Sequence, residues 1–169
     1  IGSLLRVAAA AGLGNVRVIA HDAVAVLRSQ IAPETLDEVQ ILFPDPWPKK
    51  RHHKRRLIQA EFALLVATRL CKGGRLLLAT DWEPYAEQMH LILNACPLLE
   101  KADGPTTRAP TRFERRGLRL GLQVQDLSYR RGGALTTQVV STGEYPIGIA
   151  INGETSAGIR DKGAPLGFK

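Results

Sequence analysis

The sequence predicts an α/β fold built on a parallel sheet, because strand-like and helical segments alternate along its 169 residues. Short apolar runs of strand length occur at residues 16–20, 38–43 and 75–80, and each leads into turn residues and a helical stretch. With 44% hydrophobic and 23% charged residues, the chain has enough apolar material for one core. We therefore expect one layered domain whose sheet is covered by helices on both faces.

The first elements alternate in the order that such a fold requires. Residues 3–11 predict a helix, 12–15 a turn and 16–20 a strand. Gly12 and Gly14 follow a helix and precede a strand, the reverse of the order in a dinucleotide-binding turn, so we predict only a turn there. Asp22 is the predicted N-cap of a helix over residues 23–30.

The stretch at residues 43–57, FPDPWPKKRHHKRRL, is the most informative part of the chain. It follows the strand predicted at 38–43, at the sheet edge where open α/β folds bind ligands. Three prolines favour extended backbone at the residue before each of them, so Phe43, Asp45 and Trp47 should form a stiff extended loop. Six cationic side chains then lead into a helix predicted from residue 53 to 70, where they would oppose the helix dipole and favour a bound phosphate.

The later elements complete the sheet. Residues 75–80 predict a strand that ends at Asp81, which is either the N-cap of the next helix, through residue 94, or a second functional acid at that edge. Residues 118–129 carry a strand-like pattern that predicts a final antiparallel pair. We assign residues 1–131 to this domain. Residues 132–169, with eight of the sixteen glycines, are expected to be a flexible extension or a tail foreign to the domain, with one or two short strands at 136–140 and 145–151.

The positive charge is concentrated in two segments. Residues 49–56 hold six cations and no acid, and residues 108–119 hold five arginines and one glutamate, whereas the formal net charge of the whole chain is only +7. Such clustering favours a nucleic acid as the partner. Two cysteines 25 positions apart predict neither a metal site nor a disulfide framework, and no apolar run approaches a membrane span, so we expect a cytoplasmic protein.

Three stretches together resemble one family. FPDPWPKKRHHKRRL at 43–57, ATDWEPYAEQM at 79–89 and TRFERRG at 111–117 are similar, in that order, to motifs of the bacterial tRNA (guanine-N7)-methyltransferases. The resemblance implies a Rossmann-like class I S-adenosylmethionine-dependent methyltransferase sheet, S-adenosylmethionine as cofactor, and methylation of a guanosine in the tRNA variable loop.

The resemblance also implies roles for individual residues. Asp45 would be catalytic, and Asp22 would contact the cofactor. The substrate would be bound by Lys49, Asp81, Thr111, Arg112, Phe113 and Glu114. From the two basic segments, we predict in addition that the tRNA phosphates are contacted by Lys50, Arg51, Lys54, Arg55, Arg56, Arg115 and Arg116.

The sequence also departs from the family. The family's first strand with its glycine-rich cofactor loop, and the next strand with its ribose-binding acid, have no counterpart in this sequence, so we expect the chain by itself to bind the cofactor poorly. Two alternatives stay open: a non-catalytic tRNA-binding protein, and a methyltransferase that modifies an amino group of a nucleic-acid base.

Overall fold

The computed structural model describes residues 2–103, 108–132 and 150–152. Its elements are, in chain order, α1 (Gly2–Ala10), α2 (Ala23–Ser29), β1 (Leu36–Leu42), a 3-10 helix (Lys50–Arg55), α3 (Ala60–Arg69), β2 (Leu70–Thr80), α4 (Glu83–Asn94), β3 (Leu99–Lys101), α5 (Arg112–Arg119), β4 (Gln125–Arg131) and β5 (Ala150–Asn152). No helix among the described residues is long and apolar enough to cross a membrane.

The described strands form one mixed sheet in the order β3-β4-β2-β1-β5. β1 and β2 are parallel neighbours, with Leu42 opposite Ala79, and β4 runs antiparallel to β2 and β3. β5 pairs in parallel with the other edge of β1. The predicted α/β sheet and its final antiparallel pair are therefore confirmed.

The main apolar cluster lies on one face of this sheet. Val39 and Ile41 of β1 and Leu76 and Leu78 of β2 belong to a single apolar cluster with residues of α2, α3 and α4. On the opposite face of β1, Glu38 forms an ion pair with Arg75, whose side chain is 56% exposed. Leu77 and Ala79, which alternate with the cluster residues along β2, are also buried, so the expectation of helices on both faces stays a prediction.

Three local predictions need correction. Residues 16–20 form no strand, and Val18 and Ile19 are about 40% exposed, since an apolar run becomes a strand only when another strand pairs with it. The helix predicted from residue 53 begins at Ala60, and the preceding cations lie on the 3-10 helix. The basic residues therefore do not oppose the dipole of α3, whose first turn carries Glu61.

β2 starts earlier than predicted and contains an irregularity at its glycines. It begins at Leu70, directly after α3, and its register with β1 shifts between Leu36 and Glu38. A Cβ atom on Gly74 would lie 2.9 Å from the carbonyl oxygen of Cys71 and 3.0 Å from that of Leu36. Only glycine allows this close backbone approach.

The extension is described only in part. Ala150–Asn152 overlaps the predicted strand at 145–151, whereas the strand predicted at 136–140 lies outside the described residues. The division of the chain at residue 131 stays a prediction.

Candidate active site and nucleic-acid interface

The Asp45 loop, residues 43–49, leaves the sheet at the carboxyl end of β1. Its first amide, on Phe43, donates a hydrogen bond of 2.8 Å to the carbonyl oxygen of Ala79 in β2. Asp81 follows Ala79 by two residues. Because the two strands are parallel, Asp45 and Asp81 are half-buried acids at the same edge of the sheet, as predicted.

The backbone of this loop is strained. Phe43 has a φ of 54° and Trp47 a φ of 43°, so neither residue is extended as predicted. Bulky side chains rarely adopt positive φ, and each such residue costs on the order of 1–3 kcal/mol. Strain of this kind persists where surrounding contacts impose it, which is common at functional sites.

Asp81 does not cap the helix that follows it. The N-cap of α4 is Trp82, which has no side-chain cap, and the Trp82 amide donates to Thr80 Oγ1 at 3.2 Å. Within the described ranges, neither Asp81 nor Asp45 has a hydrogen-bond or ion-pair partner. Both carboxylates are thus available to a ligand, which favours the functional interpretation of Asp81.

The Arg-rich segment forms a capped helix, α5, which was not predicted from the sequence. Thr111 Oγ1 accepts from the Glu114 amide at 3.0 Å, and Glu114 Oε2 accepts from the Thr111 amide at 3.1 Å. These reciprocal bonds form a capping box. The spacing Thr-x-x-Glu was visible in the sequence and could have predicted this helix.

A buried guanidinium attaches α5 to the sheet. Arg108, whose side chain is 3% exposed, donates two hydrogen bonds to Glu114, of 2.6 and 2.9 Å, and forms a 2.7 Å ion pair with Asp126 of β4. The hydrogen bonds from Arg108 hold the pKa of Glu114 below its ordinary value of 4.5. Both oxygens of the Glu114 carboxylate therefore accept hydrogen bonds from within the protein. The contribution of Glu114 to substrate binding stays a prediction.

This network predicts a pH-dependent stability. Because the folded-state pKa of Glu114 is lowered, ionised Glu114 stabilises the fold above pH 4.5, and this contribution is lost as the pH falls through the lowered pKa. We expect the loss in free energy of unfolding caused by Glu114→Gln to be largest near pH 7 and to become progressively smaller toward about pH 3. Urea denaturation across this range measures the difference, and a constant difference would contradict the assignment.

An aromatic contact joins the two predicted parts of the site. The rings of Phe43 and Phe113 have centroids 4.9 Å apart, and the Arg108 guanidinium lies 6.0 Å from the Phe43 centroid. Phe113 is nevertheless 55% exposed. The Asp45 loop and the start of α5 therefore form one continuous surface that still offers an aromatic face.

Most of the predicted phosphate contacts are exposed. Arg55 lies 5.0 Å from the Trp47 ring centroid, and His52 contacts the same ring edge-on at 5.7 Å. The exposed cations of the two segments are Lys49, Lys50, Arg51, Lys54, Arg55, Arg112, Arg115, Arg116 and Arg119. They provide the positive surface that a polyanion requires.

The environment of Arg56 does not fit its predicted contact with a tRNA phosphate. Arg56 is only 3% exposed, and its Nε donates to the Pro46 carbonyl oxygen at 2.7 Å. A guanidinium committed to the backbone beneath the loop cannot join the exposed cations, so we remove Arg56 from the predicted phosphate contacts.

Asp22 caps α2, as predicted. Its Oδ1 accepts from the Ala25 amide at 2.9 Å, which leaves Oδ2 to accept from a cofactor amino or hydroxyl group. The described contacts of Asp22 are local and do not reach the Asp45 loop. Its predicted cofactor contact fits this chemistry and stays a prediction.

Comparison with known proteins identifies a family and several similar sequences. Residues 1–127 match the model of a family described as "Putative methyltransferase". The chain is 54% identical to the tRNA (guanine-N(7)-)-methyltransferase of Paraburkholderia xenovorans over 139 residues, 79% of this chain and 54% of that protein. It is also 54% identical to the protein of the same name from Thiobacillus denitrificans, over 78% of this chain and 60% of that protein.

The chain thus spans little more than half the length of these curated relatives. A solved structure, the aminoglycoside resistance methyltransferase NpmB1, has a TM-score of 0.34 and 19% identity, covering 69% of this chain and 60% of that one. Since the family model covers well over half of the sequence, the chain belongs to this methyltransferase family.

Proposed function

We propose that the protein transfers a methyl group from S-adenosylmethionine to guanine N7 in tRNA, in the cytoplasm. The observation that carries this proposal is the contact between Phe43 and Phe113, which joins the Asp45 loop to α5 in one surface. The names of the curated relatives support the substrate and the transferred group.

The reaction depends mainly on positioning the guanine base against the methyl group. Guanine N7 presents an in-plane lone pair and carries no proton, so the protein needs no general base. S-adenosylmethionine, when bound, supplies an electrophilic methyl group, and Asp22 is the described residue that would hold it. The chain must orient the base against that methyl group and keep water out.

The Asp45 loop supplies the electrostatic part of catalysis. Transfer to N7 leaves the guanine ring cationic, and a fixed carboxylate stabilises positive charge as it develops. Asp45 and Asp81 are both free to face the base or to accept hydrogen bonds from its N1 and N2 groups. Phe113, half-exposed beside the loop, offers a stacking surface worth roughly 1–3 kcal/mol per base.

The exposed cations should bind tRNA through its phosphates. Neutralising each phosphate contributes a slope of about 0.7–0.9 to the dependence of log K on log salt concentration. Replacing Lys49, Arg51, Lys54 and Arg55 by Ala should reduce that slope by roughly 3. It should also weaken the binding of all tRNAs to the same extent.

A charge-matched variant controls this measurement. Ala at the exposed cations Arg6, Arg17, Arg28 and Lys72, outside both basic segments, should change the slope little. Equal effects of the two quadruple variants on filter-binding isotherms would refute the interface.

The proposed reaction is tested in cells in which the complete gene has been inactivated. Mass spectrometry of nucleosides from their purified tRNA should show loss of 7-methylguanosine, restored by the intact gene. Unchanged 7-methylguanosine would overturn the proposal. Loss of a methylated amino group instead would assign the protein to the amino-group methyltransferases.

A further inference from the structure

Arg56 differs from every other cation of residues 49–56. Lys49, Lys50, Arg51, Lys54 and Arg55 are exposed, whereas Arg56 is 3% exposed. Burial removes its charge from water, which is energetically unfavourable. An exposed cation that binds phosphate at the surface avoids this desolvation. This burial lowers the pKa of Arg56 from its ordinary value.

The contacts of Arg56 connect the Asp45 loop to α4. Its Nε donates to the carbonyl oxygen of Pro46 at 2.7 Å, and its Nη1 donates to Gln88 Oε1. The guanidinium carbon lies 4.7 Å from the ring centroid of the fully buried Tyr85. One planar group thus holds a loop carbonyl against two side chains of a helix that packs in the core.

The carbonyl that Arg56 holds lies between the acid and the strained residue of the loop. Pro46 directly follows Asp45 and precedes Trp47, whose φ of 43° requires support from its surroundings. A hydrogen bond from a charged donor to that carbonyl supplies such support. Arg56 therefore restrains the peptide unit between Pro46 and Trp47, which directly follows Asp45 in the loop.

The charges of Asp45 and Arg56 have opposite effects on the pKa of the Tyr85 hydroxyl group. Burial is the main cause that raises the pKa of Tyr85 to about 12; Arg56 opposes this rise, and Asp45 adds to it. The Tyr85 hydroxyl is fixed in turn, because it accepts a 3.1 Å hydrogen bond from the Ile58 amide. Arg56 and Tyr85 thus form a fixed, buried pair that contacts the Asp45 loop through the Pro46 carbonyl.

We propose that Arg56 is a positioning residue that holds the Asp45 loop against α4. It acts on the reaction through Asp45, so its kinetic effect rests on the proposed function, whereas its effect on the loop does not. Within the described residues its Nη2 is buried without a hydrogen-bond partner. An unpaired buried donor lowers the stability of the fold, so stability alone does not explain this contact.

The test compares Arg56→Gln with Lys54→Gln, which remove the same charge from neighbouring positions. Hydrogen exchange at the non-proline amides of residues 43–49, above all the Phe43 amide that bonds to Ala79, should become at least roughly tenfold faster in Arg56→Gln and stay unchanged in Lys54→Gln. The salt slope of tRNA binding should fall by about 0.7–0.9 in Lys54→Gln and stay unchanged in Arg56→Gln.

Kinetics of the enzyme expressed from its complete gene give a third readout. Arg56→Gln should lower kcat with little change in KM, and Lys54→Gln should mainly raise KM. The exchange measurement decides the loop contact even when no methyl transfer is detected, so failure of the proposed function is distinguishable from failure of this inference.

A second variant covers the case in which Arg56→Gln fails to fold. Gln88→Met removes only the acceptor on α4 and should accelerate exchange at residues 43–49 in the same direction. Unchanged exchange in the loop of the folded variants would overturn the proposal. So would an Arg56→Gln salt slope reduced to that of Lys54→Gln.

Discussion

Replacing Asp45 by Asn is expected to lower turnover by roughly 10² or more while leaving folding and tRNA affinity nearly intact. The substitution keeps the shape of the side chain and removes its charge. Since Asp45 has no hydrogen-bond or ion-pair partner among the described residues, its charge is not needed to hold the loop. The loss should therefore appear in kcat, which is sensitive to charge stabilised only in the transition state.

Single-turnover assays of the enzyme expressed from its complete gene measure this effect. Asp103→Asn, which removes the same charge at an exposed position outside the loop, should keep normal turnover. Near-normal turnover in Asp45→Asn would reduce Asp45 to a residue that shapes the loop. A parallel Asp81→Asn variant would then show whether the second acid carries the charge stabilisation.

Replacing Arg108 by Gln is expected to destabilise the fold by about 3 kcal/mol. The change leaves Glu114, whose side chain is 9% exposed, without its charged partner. Removing one member of a fully buried pair costs about 3–5 kcal/mol, and the lower end applies because the Asp126 side chain is 35% exposed. Phe113 would also lose the fixed helix that holds it against Phe43.

Urea denaturation near neutral pH checks this value against a surface pair. Arg130 pairs with Glu100 at 3.3 Å, and both side chains are more than half exposed. Arg130→Gln should therefore cost only about 0–1 kcal/mol. If Arg108→Gln destabilises the protein no more than this control, Arg108 does not hold α5 in place.

The sequence predicted the parts of the site that depend on local patterns. Apolar runs predicted β1 and β2 as strands of one sheet, and this placed Asp45 and Asp81 at the same edge of the sheet. Asp22 was a recognisable N-cap because its position before a helical stretch is a local signal. Residues 16–20 showed the limit of this approach, since their apolar pattern has no strand beside it in the described structure.

The remaining features depend on contacts between distant segments. Arg56 is one of six cations in eight positions, and its burial and its contacts with Pro46, Gln88 and Tyr85 distinguish it from its neighbours. Arg108 binds Asp126 eighteen residues away, which no local spacing indicates. Positive φ at Phe43 and Trp47 opposes the preference that the following prolines impose, so tertiary packing overrides the local rule there.

The most direct test of the proposed function is to identify the methylated atom. The enzyme expressed from its complete gene is incubated with methyl-labelled S-adenosylmethionine and unmodified tRNA, and the digested nucleosides are separated by chromatography. The account predicts label in 7-methylguanosine, strongly reduced by Asp45→Asn. Label in a methylated amino group of adenine or cytosine, or none in any nucleoside, would contradict it.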